Sequence, residues 1–271
     1  MFTLLCKGHL ADPLSAFAYS TLTTCRRVIA RHPEFKPKLL ESLGKRQQDP
    51  SSSHIGGPVQ ALLAAAEVCG ALVDVNATLG FCRIGEAEPA LTLDIDHPNR
   101  GDFEHVVRES LRRQEWASLA RRRPNFGGLQ DGVDRVATLV LQRRVLALDR
   151  YRLRCIMSGA VNTRAHLHRV RVVESPTCPC CGQAPETWSH LFAECPAHAT
   201  IRNRELGPEL LESLPACLRL HGVCPETFQF GDSRDDLLGL VGTVQYMLLD
   251  VLAHRNELMG EPPPQPRWTT A

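Results

Sequence analysis

No stretch of this 271-residue chain reaches the uninterrupted apolar length that a membrane helix needs. The closest run, Leu237 to Ala253, is interrupted by Gln245 and Asp250. The first residues lack the basic start, apolar run and cleavage site of a signal peptide. The expectation is therefore an intracellular protein, nuclear or cytoplasmic, with no membrane partner. No internal repeat is visible, which excludes a repeat architecture. One absence is local: residues 100–172 contain no lysine at all.

What is present fits a globular chain. A hydrophobic content of 43% is enough for a real core, and the length allows one large domain or two small ones. Eleven cysteines without a secretion signal point to reduced thiols, some of them on metal. The net charge of +1 conceals an uneven distribution. Residues 1–99 carry 9 Lys+Arg against 10 Asp+Glu. Residues 100–172 carry 16 Arg against 7 acids, a net of +9, and residues 173–271 carry 6 Arg against 13 acids. An all-arginine block is suited to phosphate, because a guanidinium forks onto it in a way that lysine cannot. Part of that charge should be neutralised locally, since Glu104/Arg108 and Glu109/Arg113 sit at i,i+4.

The block runs into Cys178-Pro-Cys-Cys181-Gly-Gln-Ala-Pro-Glu-Thr-Trp-Ser-His190-Leu-Phe-Ala-Glu-Cys195, which reads Cys-x2-Cys-x8-His-x4-Cys. Thiolate and imidazole are the donors Zn²⁺ prefers, and four of them close a structural tetrahedron. Cys178, Cys181, His190 and Cys195 are the expected ligands. Gly182 suits the knuckle turn, Pro185 suits the first turn of a helix over Glu186–Glu194, and Pro196 follows. Cys180 could replace a neighbouring cysteine, and His198 is a further substitute, although it reads as a surface residue. So small a module buries little apolar surface, so metal binding should supply much of its folding free energy.

The remaining pattern is mainly helical, with short or no strands. Helices are expected over Pro13–Arg31, Lys36–Gly44, Val59–Val73 and Asp102–Arg122. Another should start at Asp131 or Asp134, carry Val136, Val140 and Leu141 on one face, and run into Tyr151–Ser158. Asn162 or Thr163 could cap a helix carrying His166 and His168. Helices over Ala197–Leu206 and Asp235–Leu258 complete the set, the last with a core-facing stripe. Gln47–Pro58 reads as a surface loop, Leu91–Ile95 as a short strand, and the proline-rich stretch from Glu261 as a disordered tail. The expected division is a helical region at 1–99, an arginine-rich helical region at 100–172, a zinc knuckle at 173–206, a helical region at 207–260 and a tail at 261–271.

One ordered series of motifs resembles a known family. Leu153–Gly159, Thr163-Arg164, Leu167-His-Arg169, Ser-Pro-x-Cys-x2-Cys-Gly, Glu186-Thr-x-x-His190-Leu-x-x-x-Cys195-Pro196 and then Arg202 are similar to the zinc-binding segment near the C-terminus of non-LTR retrotransposon reverse transcriptases. The likeness covers Tyr151–Arg204. It is looser at Lys7-Gly-His9 and Cys25-Arg-Arg27, which resemble the region after the polymerase palm, and at Leu214–Gly222. The resemblance implies zinc on the four residues above, RNA or DNA as partner, and an upstream reverse transcriptase core. It does not imply catalysis by this chain, which lacks Tyr/Phe-x-Asp-Asp and a restriction-like endonuclease signature. Nucleic-acid contacts are expected from Arg121, Arg122, Arg123, Arg143 and Arg144 on one basic face.

Two other readings compete. A zinc-stabilised protein-interaction module needs no nucleic acid. Leu93-Asp94-Ile-Asp96 and Gly231-Asp232-Ser-Arg-Asp-Asp236 resemble the acidic motifs of haloacid-dehalogenase-type phosphatases, although Pro98 stands where Thr or Val is usual. Three lesser signals are His166-x-His168, His221-x2-Cys224, and Trp116 among arginines, the last read as a core tryptophan.

Overall fold

A computed structural model describes residues 12–48, 57–82 and 89–260. Lys7-Gly-His9, most of the expected Gln47–Pro58 loop and the tail from Glu261 lie outside the described residues. The protein is mainly helical and divides into two compact units, with the boundary between Ser118 and Leu119.

The first unit opens with α1 (Pro13–Arg31), whose N-cap Asp12 accepts the Ser15 N–H at 2.8 Å. Helices α2 (Phe35–Gln48) and α3 (Pro58–Val68) follow. The expected Val59–Val73 helix stops early because Gly70, at φ +65°, turns the chain out of it. Ala71–Val73 becomes β1, which pairs antiparallel with β2 (Thr78–Cys82), and β2 pairs with β3 (Pro89–Asp94). The unit includes most of the long helix α4 (Arg100–Arg122). Ala18, Leu22, Leu62, Ala65, Phe103, Val107 and Leu111 make its core. Trp116 is buried, as the packing reading expects. Glu104 pairs with both Arg100 and Arg108, and Glu109 pairs with Arg112, so this part of the arginine charge is locally balanced.

The second unit contains the remaining elements. A 3₁₀ turn at Pro124–Phe126 leads to α5 (Arg135–Thr138) and α6 (Ala147–Ser158). The sequence suggested one continuous helix here, but it breaks after Thr138. The Thr138 carbonyl is taken by Gln245 Nε2 at 2.8 Å, and its hydroxyl takes the Cys224 N–H at 3.0 Å. The Gln142 N–H, which an α-helix would place on that carbonyl, bonds Leu139 O at 3.2 Å instead. Gly159, at φ +68°, closes α6. Thr163 caps α7 (Arg164–Arg169), then come the wide π turn His190–Glu194, a 3₁₀ turn at Pro196–His198, α8 (Ala199–Glu205), α9 (Pro208–Ser213), α10 (Ala216–His221) and α11 (Arg234–Leu258).

α11 is the axis of this unit. Ser233 and Asp236 form a reciprocal capping box at its start. Its Leu237, Leu240, Val241, Val244, Met247, Leu248, Val251 and Leu252 are buried. Each such side chain stabilises by roughly 1.5–3 kcal/mol. α5, α6, α8, α10 and the π turn all pack on it. It is long and apolar enough to cross a membrane by length and composition alone, yet its most apolar window is 56% buried within the protein. Gln245 also bonds the Gly222 carbonyl at 2.8 Å. Those are the contacts of a core helix.

Candidate metal centre

The knuckle is built from two short pieces of backbone. In the first, the Cys178 N–H donates to Ala184 O at 2.7 Å and the Gly182 N–H returns to Cys178 O at 2.9 Å. Gly182, at φ +66°, permits that tight return. Thr177 and Pro185 face each other in an antiparallel bridge, and the Glu186 N–H donates to Pro176 O at 2.8 Å. Pro185 therefore closes a small hairpin instead of starting a helix, and the helical stretch expected over Glu186–Glu194 begins later, at Trp188.

The second piece is the π turn. The Cys195 N–H donates to His190 O at 2.7 Å, a closure over five residues. In an ordinary α-helix, residues five apart point roughly 140° away from each other. The wider closure returns Cys195 to the side of His190, as a His-x4-Cys spacing requires. The His190 N–H is tied to Thr187 Oγ1 at 3.0 Å, and Leu191 and Phe192 are fully buried.

Cys178, Cys181, His190 and Cys195 converge, with their four donor atoms all within 4.8 Å of one another. Cys178 Sγ lies 3.8 Å from Cys195 Sγ, and Cys181 Sγ lies 3.3 Å from His190 Nε2. A tetrahedron with Zn–S of about 2.3 Å and Zn–N of about 2.0 Å has edges of about 3.8 Å and about 3.5 Å. The sulfur pair is far too long for a disulfide, and the nine cysteines with described side chains are all free. The donor set and its edges fit Zn²⁺. Four protein donors would close the coordination, so the chemistry supplied is a structural cross-link with no open position.

The electrostatics are those of a half-buried thiol cluster. Burial pushes the Cys195 thiol up to about 12. For Cys181, burial pushes upward, but the Gln183 backbone and the His190, Cys178 and Cys195 side chains outweigh it and bring the thiol to about 7. Cys180 is not among the four converging donors. It groups instead with Cys178 and Glu186, and burial, with those two beside it, pushes its thiol up to about 12. His198 is no surface residue. It is 0% exposed, faces His254 with Nδ1···Nδ1 at 3.0 Å, and is held down to about 4, mainly by burial.

Supporting side chains bind the knuckle to the rest of the unit. Glu186, fully buried, accepts Arg255 Nε at 2.7 Å, Arg255 Nη2 at 3.0 Å and the Arg164 N–H at 2.7 Å. Arg255 also donates to Asn162 O at 3.1 Å. Arg202 Nη2 donates to Cys195 O at 2.9 Å, fixing the carbonyl of the last cysteine of the cluster. Trp188 donates its indole N–H to Leu220 O at 3.0 Å and stacks on His221. The other face of His221 stacks on Phe126 at 3.8 Å between centroids. The knuckle thus has an apolar and ionic footing of its own, and metal is not its sole source of order.

Residues 135–201 match the family model described as zinc-binding in reverse transcriptase. The expected resemblance over Tyr151–Arg204 is met, and the match reaches upstream to α5. It includes all four converging residues. Together, the cluster and the match imply zinc binding. The matched family is the zinc segment, not a polymerase domain. No curated protein and no solved structure matches the chain.

The other sequence-derived residues fall in several places. Arg121, Arg122 and Arg123 are exposed at the end of α4 and just beyond it. Arg122 and Arg123 line a cavity of about 260 Å³ together with Phe126, Gly159, Trp188 and His221. Arg143 and Arg144 are exposed in the turns between α5 and α6, and Arg144 lines a separate cavity of about 350 Å³ beside Tyr246. His166 and His168 do not converge: His166 Nδ1 contacts Arg169, and His168 Nδ1 contacts Val173 O. His221 and Cys224 are not in the metal cluster. The phosphatase carboxylates are engaged elsewhere. Asp94 receives Thr78, Asp96 pairs with Lys36 at 2.7 Å, and Asp236 holds the cap of α11. Asp94 and Asp96 belong to one unit, Asp232 and Asp236 to the other.

The Glu186–Arg255 pair and the stacked Phe126–His221–Trp188 set were missed from sequence. Glu186 stands within the quoted motif, but nothing local marks Arg255, 69 residues away, as its partner.

Proposed function

We propose that the unit of residues 119–260 is a non-catalytic nucleic-acid-binding part of a retroelement reverse transcriptase, ordered by one Zn²⁺ on Cys178, Cys181, His190 and Cys195. Its partners are RNA or DNA and an upstream polymerase core, in a reducing compartment, nucleus or cytoplasm. One observation carries this reading. Trp188, two residues before the ligand His190, lines the same cavity as Arg122 and Arg123. The metal-ordered turn and the arginine-rich segment therefore offer a shared surface of ring and guanidinium, the combination that holds a nucleic-acid strand. Free thiols and a closed donor set agree with a structural metal.

The test is an Arg121→Ala, Arg122→Ala, Arg123→Ala triple substitution, with binding measured across a salt series. Each phosphate contact removed should flatten the log–log salt dependence by about 0.9 on duplex DNA and about 0.7 on single strands. Unchanged affinity and slope would refute these contacts. A second reading, a zinc-ordered protein-interaction module, draws on the exposed Val136, Leu146 and Tyr246. Partner binding insensitive to salt would favour it.

A further inference from the structure

A groove of about 600 Å³ beside the knuckle is lined by Arg123, Asn125, His166 and Arg169, with Trp188 among its lining. It shares Arg123, Asn125 and Trp188 with the smaller cavity. Among the described residues no carboxylate lines it. The Arg123 side chain makes no ion pair or hydrogen bond among the described residues. Arg169 donates to His166 Nδ1 at 2.9 Å. That bond places the ring proton of neutral His166 on Nε2, so both lining residues are donors. Trp188 has its N–H committed to Leu220 and its ring stacked on His221, so what it adds is fixed aromatic surface.

The groove thus combines two arginines, a donor histidine and one aromatic ring, and its charge complement is an acceptor-rich anion carrying flat rings. Its volume is in the range of a pocket for a small ligand, large enough for an unpaired nucleotide. A duplex keeps its base faces stacked inside and has none to lay on such a ring. We infer that this groove seats unpaired nucleotides, so that the unit binds single-stranded nucleic acid in preference to duplex. The inference rests on the nucleic-acid reading above and narrows it.

The experiment uses the full chain loaded with zinc, a short mixed-sequence RNA, the same RNA as a duplex, and an oligoglutamate competitor, read by fluorescence anisotropy. The parent should prefer the single strand by roughly tenfold or more, the scale of one stacked base. Arg123→Ala with Arg169→Ala should weaken single-strand binding and flatten its salt slope by about 1.4. Duplex binding should change by much less. Ala160→Glu supplies an independent variant. Ala160 is exposed and lines the groove, so an acid there repels the strand without removing any arginine. Unchanged zinc content and melting temperature confirm that both variants fold. Equal affinity for the two RNA forms, equal weakening of both, unaltered single-strand binding in the variants, or displacement by oligoglutamate as effective as by RNA would each overturn the groove. If the parent binds duplex but shows no preference, nucleic-acid binding itself still stands. If it binds neither form, the broader reading fails too.

Discussion

Replacing Glu186 with Gln tests how the knuckle is held. Glu186 is fully buried and Arg255 is 5% exposed, with two charge-assisted bonds between them at 2.7 and 3.0 Å. Gln preserves shape and still offers an oxygen to the Arg164 N–H, so the change is chiefly one of charge. It leaves the Arg255 guanidinium buried without its counter-ion. Breaking such a pair from one side costs about 3–5 kcal/mol, while replacing both partners costs far less. For a domain of this size, 1 kcal/mol corresponds to about 2–4 °C, so Glu186→Gln should lower the melting temperature by roughly 6–20 °C. Adding Arg255→Met should recover much of that loss, and the double-mutant cycle gives the coupling directly. Thermal denaturation of zinc-loaded protein is the assay. A single variant that melts within about 2 °C of the parent would refute the reasoning, since that is under 1 kcal/mol. So would a double variant no better than the sum of the two single ones.

Elemental analysis should find one zinc per chain, lost in His190→Ala and retained in Cys180→Ser, because Cys180 stands outside the tetrahedron. In His190→Ala, hydrogen exchange should rise over residues 178–184, while α11 stays protected by its buried face. Burial holds His221 down to about 3, below the unfolded value of about 6.5. The unfolded chain therefore takes up the proton first, so stability is whole above about pH 6.5 and drains as pH falls toward about 3, by at most about 5 kcal/mol. Urea titrations from neutral to acid pH should show this loss, and His221→Phe, which keeps an aromatic ring between Phe126 and Trp188, should reduce it.

The site was legible in the sequence to the extent that it is local. Three cysteines and a histidine at short spacing, with Gly182 after the second cysteine, marked out the four side chains that the fold brings together. What spacing did not give is the π turn, because a helical stretch was read with the α period. Long regular elements such as α1 and α11 were readable from their apolar patterning, while their caps at Asp12 and Ser233 were not read. The helix expected after Asp134 failed for a non-local reason, since Gln245 lies 107 residues from the carbonyl it occupies. The first two strands were hidden because Ala71-Leu-Val continues an alanine- and leucine-rich run, and only the left-handed Gly70 separates them. His198 read as a surface histidine because its burial depends on packing near His254, far away in sequence.

The wide turn at His190–Glu194 also sets how much chain separates the last two donors of the cluster. A His and a Cys four apart on an ordinary helical turn would share a face equally well. The additional residue is therefore not needed to bring the donors together. A π turn takes up one residue more than an α turn while returning the chain to the same side. The exit of the chain is held by its own contacts, Arg202 on the Cys195 carbonyl and His198 beside His254. The wide turn thus absorbs a spare residue without redirecting the helix that follows.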